Sequence, residues 1–258
     1  MAVIKKFRIK SFKEQETLLE LEKISMSYDN RRILNDISFK VNRSEVLGLL
    51  GPNGVGKSTI FKIIMNIENQ KSGKILLNGV DCTNLPIHER SRNFNLSYCP
   101  QYGGYFYDLT VMENLTAVAE IHVKEKNLRI SKIDKIIGQF GFDSILNVKA
   151  KHVSGGERRK LAIGMAIIND PQILLLDEPY AALDILSIKM IQEIIINLQS
   201  MERMSIIVCD HNARDLLTCV DRAIVLSNGK IIASGSPQEI INDTHARSVY
   251  FGNEFKIN

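Results

Sequence analysis

Apolar and polar positions alternate in LLELEKISMSY (18–28) and RRILNDISFKV (31–41), which predicts strands separated by a turn at DNRR. EVLGLLG (45–51) is a more continuous apolar run and reads as a third strand. The spacing then switches to helical in STIFKIIMNI (58–67) and returns to a strand in SGKILLNGV (72–80), ended by Asn78-Gly79. From about 102 to 150 the apolar positions of VMENLTAVAEIHV and ISKIDKIIGQFGF recur at helical spacing with no strand between them. Helix and strand alternate again in SGGERRKLAIGMAII (154–168), QILLLD (172–177), LSIKMIQEIIINLQSM (186–201) and SIIVCD (205–210). A hairpin, RAIVLSNGKIIASG, turns at Asn228-Gly229, and one last helix is expected near PQEIINDTHARSVY, with Pro237 in its first turn.

This alternation predicts an α/β fold with a parallel core sheet, an N-terminal antiparallel β layer and an inserted helical lobe at about 102–155. The expected boundaries are a basic extension at 1–16, one domain over 17–258, and a short C-terminal region from about 237. Composition alters little: 258 residues, 45% hydrophobic, and a net charge of +4 that does not demand nucleic acid as a partner. No apolar run reaches membrane-spanning length, and the first 16 residues lack the apolar segment of a secretory signal. Cys82, Cys99, Cys209 and Cys219 follow no metal-ligand spacing and read as reduced thiols, which fits a cytosolic chain.

Three motifs carry chemistry. GPNGVGKS (51–58) follows a strand and precedes a helix, matching G-x-x-x-x-G-K-[ST]. Its backbone at Gly51, Pro52, Asn53, Gly54, Val55 and Gly56 is expected to turn N–H groups toward phosphate oxygens. Lys57 is expected to reach the β- and γ-phosphates, with Ser58 on Mg²⁺ and Thr59 beside it. ILLLDEP (173–179) is a buried strand delivering Asp177 for Mg²⁺ and Glu178 for the attacking water at the sheet edge where α/β folds bind ligands. In VSGGERR (153–159), Ser154, Gly155 and Gly156 form a second phosphate-binding helix start, and Glu157 can also close a local capping box.

VSGGERR lies 23 residues before Asp177, counted from Ser154, and resembles the LSGGQ signature of ABC-transporter ATPases. The resemblance covers 18–258 and implies a P-loop ABC cassette that uses ATP and Mg²⁺ as a homodimer. The signature of one copy, Ser154 to Glu157, would then close over the ATP held by the other. By the same resemblance Gln101 in SYCPQ contacts Mg²⁺, Asp184 in AALD lies at the dimer seam, His211 contacts the γ-phosphate, and Tyr28 stacks on adenine. Transmembrane subunits would dock near Gln101 to Tyr107, so that the chain sits on the cytoplasmic face of the inner membrane only through partners.

Within that family SGGERR, LPIHERSR (85–92), CDHN (209–212) and the tail with its VYFGNEF ending resemble the ATPase subunits of lipopolysaccharide-export transporters. Two departures stand out: Ile185 follows Asp184 where proline is commoner, and YGGYFYDLTVMENL (102–115) is tyrosine-rich where arginines are frequent. The alternatives are the ATPase of another transporter, such as a branched-chain amino acid importer, or a soluble ABC protein. Only 52 residues separate Gln101 from Ser154, too few for the long coiled-coil insertion of many soluble members. A nucleotide kinase or GTPase has no use for the SGGER segment.

Overall fold

The computed structural model describes residues 16–29, 31–252 and 255. The basic extension expected at 1–16 therefore lies outside the described residues except for Glu16, as do Asn253 and Glu254 of the VYFGNEF ending.

Two twelve-residue strands, β1 (Thr17–Tyr28) and β2 (Arg31–Asn42), pair antiparallel, with register shifts that mark bulges along the ladder. The wholly buried β3 (Val46–Leu50) leads into α1 (Lys57–Ile64). β4 (Ser72–Leu77) and β5 (Val80–Asp81) complete an antiparallel sheet ordered β2-β1-β4-β5. Next come α2 (Ile87–Phe94) and β6 (Leu96–Cys99), then α3 (Val111–His122), α4 (Lys126–Phe140) and α5 (Gly155–Ile167). β7 (Ile173–Asp177), α6 (Ile185–Glu202), β8 (Ser205–Cys209), α7 (Ala213–Leu217) and the hairpin β9 (Arg222–Ser227) and β10 (Lys230–Gly235) follow.

The second sheet has the order β10-β9-β3-β8-β7-β6, and only its β9–β10 pair is antiparallel. Successive side chains of a strand point to opposite faces, so this sheet is a wall between two cores. Val46, Leu174, Leu176, Ile206 and Val208 face a core shared with α3, α4, α5 and α6. Leu47, Leu49, Ile173, Leu175 and Ile207 face the core shared with α1 and the antiparallel layer. Each fully buried Leu or Ile contributes about 1.5–3 kcal/mol, which leaves room for a charge only at a strand's end. That parity turns Asp177, the last residue of β7, toward α1, and Glu178 follows just beyond the strand's end.

The last helix departs from the expected continuous segment. It divides into α8 (Pro237–Asn242), α9 (Thr244–Ala246) and a π-turn over Arg247–Phe251. Asp243 causes the break: its backbone is extended, with ψ 120°, and its carboxylate accepts the Ala246 N–H at 2.6 Å, starting a new turn. α2, β6 and α7, each four to eight residues long, add to the elements expected from the sequence.

Candidate functional site

Between β3 and α1 the chain wraps around an open helix start. Gly56 has φ 111°, and a Cβ there would come within 2.6 Å of Leu34 Cδ2, so only glycine lets the loop lie on β2. No side chain caps α1, which leaves its first-turn N–H groups free for a ligand in the loop. Lys57 is 4% exposed, and its ammonium donates to the carbonyls of Gly51 (2.7 Å) and Pro52 (3.1 Å). Both partners are neutral, so a buried positive charge stands ready for an anion. Val55 and Gly51 are buried beneath the loop, while Pro52, Asn53 and Gly54 form its exposed rim.

Asp177 lies on the α1 side of the sheet. Its carboxylate accepts from Ser58 Oγ at 2.9 Å, Tyr98 Oη at 3.0 Å and Cys209 Sγ at 2.8 Å. Burial, reinforced by the Asp177 charge, pushes the Tyr98 phenol and the Cys209 thiol well up, so both remain protonated donors. A hydroxyl and a carboxylate at this separation are the hard oxygen donors that Mg²⁺ takes, and the pair fits that ion.

Glu178 follows directly after the end of β7. Its backbone is held at φ 43°, a left-handed conformation costing a non-glycine residue about 1–3 kcal/mol and concentrated at functional sites. The Glu178 N–H donates to Cys209 O at 2.8 Å, and its carboxylate accepts from Gln101 Nε2 at 2.7 Å. His211 Nδ1 lies 3.5 Å from the same carboxylate oxygen, so Gln101, Glu178 and His211 meet. Beneath His211, buried Asp210 accepts the backbone N–H groups of Asn212 and Tyr180, and burial raises its carboxyl. Tyr250 of the C-terminal π-turn donates to His211 O at 2.8 Å, and burial pushes its phenol up to about 12. Tyr28 is half exposed at the end of β1; its hydroxyl donates to Glu68 and interacts with Thr59 beside the loop.

The SGGE segment stands apart. Ser154 caps α5 by accepting from Glu157 N at 3.2 Å, and Glu157 accepts from Ser154 N at 2.7 Å, which closes the capping box. That bond holds the Glu157 carboxyl below the usual carboxylate range. Gly156 is buried, and a Cβ there would fall 2.4 Å from Ser187 Oγ. Asp184 in turn caps α6, accepting from the backbone N–H groups of Leu186 and Ser187 and from the Ser187 hydroxyl. The starts of α5 and α6 therefore form one packed unit, and the hydrogen bonds of Ser154, Glu157 and Asp184 stay within it.

Arg159, unremarked in the sequence, joins the two regions. It is buried on α5, and its guanidinium donates to the carbonyls of Pro100 (2.8 Å), Gln101 (2.5 Å) and Glu178 (3.3 Å). Its signal was positional, because Gly156, Arg159 and Ile163 share one buried helical stripe. An arginine there needs fixed acceptors.

Among family models, the one described as ABC transporter matches residues 34–181, more than half the chain. The chain belongs to the ABC transporter family. It is thus an ATP-binding, ATP-hydrolysing subunit of the ABC type. It is 39% identical over 245 residues to the lipopolysaccharide export system ATP-binding protein LptB of Haemophilus influenzae, covering 93% of this chain and 100% of that one. The protein of the same name from Escherichia coli K12 is 35% identical over 240 residues, covering 93% and 99%. Among solved structures, an ATP-binding subunit of an ABC transporter superposes with TM-score 0.76 at 27% identity, over 91% of this chain and 96% of that one. An ABC cassette in its ADP conformation has TM-score 0.81 at 24% identity, covering 92% and 99%, and supports the fold alone. The architecture expected of an ABC cassette, with an antiparallel layer beside a largely parallel sheet, is the one found.

Proposed function

We propose that this ABC ATPase powers lipopolysaccharide export from the inner membrane, as a homodimer on the cytoplasmic face that is held there by transmembrane subunits. The cargo rests on the likeness to the two LptB proteins and on the SGGERR, CDHN and tail segments. Among the described residues no helix is long and apolar enough to cross a membrane, in keeping with attachment through partners. The helical lobe at about 102–155 would present Tyr102, Phe106 and Tyr107, all exposed, to those partners. The tyrosines in place of arginines favour a second reading, an ATPase for another cargo such as branched-chain amino acids. Pull-down from detergent-solubilised membranes, with identification of the transmembrane subunits, separates the two.

In the proposed mechanism the loop N–H groups of 51–56, Lys57 and Thr59 hold the phosphates of substrate ATP, and the Tyr28 ring carries the adenine. Bound Mg²⁺ would neutralise phosphate charge, with Ser58, Gln101 and Asp177 (through water) as its holders. Glu178 orients the attacking water and takes its proton as the β–γ phosphoanhydride bond breaks. His211 steadies the γ-phosphate, and positioning and charge neutralisation supply most of the rate. Ser154, Gly155 and Gly156 of a second copy close the site, with Asp184 at the seam. The exposed apolar side chains Ile185, Leu186 and Met190 beside Asp184 support such a seam.

The observation that carries this reading is the meeting of Gln101, Glu178 and His211 on one carboxylate, next to the Ser58–Asp177 pair. Replacing Glu178→Gln should keep ATP binding and dimerisation while turnover falls by roughly 10²–10⁴-fold, the usual contribution of a general base. Hydrolysis at the wild-type rate in that variant would overturn the assignment.

A further inference from the structure

Asp177 is clamped from both neighbouring strands. Tyr98 on β6 reaches one carboxylate oxygen, and Cys209, paired with Asp177 across the β7–β8 ladder, reaches the other. Ser58 shares the oxygen bonded to Cys209. A carboxylate has about four lone-pair sites, so three donors from three elements nearly fix its orientation. Tyr98 is itself anchored, its ring meeting Phe61 edge to face with centroids 6.3 Å apart. Phe61 belongs to α1, the helix that carries Ser58. One tyrosine thus braces both halves of the Ser58–Asp177 pair.

We propose that Tyr98 and Cys209 are positioning residues for magnesium, holding the Asp177 carboxylate toward Ser58 so that the metal finds its oxygen donors preorganised. This inference rests on the proposed role of Ser58 and Asp177. When a cation takes up a lone pair of the Ser58 hydroxyl oxygen, that hydroxyl keeps its proton for the Asp177 carboxylate. Tyr98 and Cys209, together with that hydroxyl, keep the carboxylate from turning away, at no cost in ordering when the ion arrives. Neither residue contacts the loop carbonyls that hold Lys57, so their effect falls on metal affinity and spares nucleotide affinity.

The probes are Mn²⁺ with a non-hydrolysable ATP analogue, titrated by electron paramagnetic resonance, and a fluorescent ATP analogue titrated in EDTA. Tyr98→Phe should weaken Mn²⁺ binding by roughly tenfold, the loss of one hydrogen bond to a charged group, while EDTA-phase nucleotide affinity stays within about twofold. Cys209→Ala should weaken Mn²⁺ by about threefold, since a thiol is the weaker donor, and Cys209→Ser should restore it. If Tyr98→Phe does not fold, the Cys209 pair decides by itself. Unchanged Mn²⁺ affinity in Cys209→Ala, or an equal fall in metal-free nucleotide binding, would overturn the inference. Wild-type protein that binds neither probe would instead overturn the reading of the loop.

Discussion

The starts of α1 and α5 are both glycine-bearing helix N-termini, yet they are completed in opposite ways. α1 begins without a side-chain cap and is surrounded by Lys57, Ser58 and Asp177, a cation and two oxygen donors turned inward. α5 begins with a full capping box, leaves Ser154 and Gly155 exposed, and packs Gly156 against Ser187 at the start of α6. The first turns its donors and a buried cation toward an incoming anion. The second is locally finished, and any ligand must come to it from outside. On the proposed reading one chain holds two parts of a site, and Arg159 joins them.

The comparison breaks most readily at Gly155. A side chain there meets only Leu183 Cδ2, at 3.6 Å, so the fold tolerates one. Gly155→Asp places a negative charge at a helix start, where the dipole favours it by about 0.3–1 kcal/mol, so thermal stability should hold or rise. The same charge opposes a phosphate, and turnover should fall by roughly 10²-fold or more. Wild-type ATPase rates in this variant would make the α5 start a plain cap. Arg159→Ala tests the link between the regions. It strands three carbonyls, and denaturant unfolding should show a loss of about 2–3 kcal/mol. Turnover should drop about tenfold as Gln101 and Glu178 lose their brace, a loss seen in kcat more than in KM. Unchanged turnover with lowered stability would make Arg159 purely structural. Ser154→Ala is the mildest: the lost cap costs about 1 kcal/mol by thermal unfolding. A cost near zero would mean that the capping box does not hold α5 in solution.

These two regions also mark how far the sequence could be read. Strand-loop-helix spacing around Gly51 to Ser58, and four apolar residues before Asp177, placed the loop and the carboxylate at one sheet edge because local pattern decides both. What stayed hidden depends on contacts between elements distant in sequence. Tyr98 reaches Asp177 across 79 residues and Arg159 reaches Gln101 across 58, and no periodicity encodes such partners. The ERRK run carries the residue type of a solvated face, yet burial of its second arginine comes from α5 packing beside β6. The break at Asp243 was missed for the converse reason. A short side chain that caps the following turn overrides a helical apolar pattern.

The central claim is that the two parts of the site meet only between copies. Lys57→Ala and Gly155→Asp proteins, each inactive when purified, should be mixed and allowed to exchange subunits before ATPase activity is measured. A heterodimer of the two has one intact site, built from the loop of one chain and the signature of the other. With random pairing the mixture should recover roughly a quarter of wild-type turnover. A mixture as inactive as its parents would contradict the account.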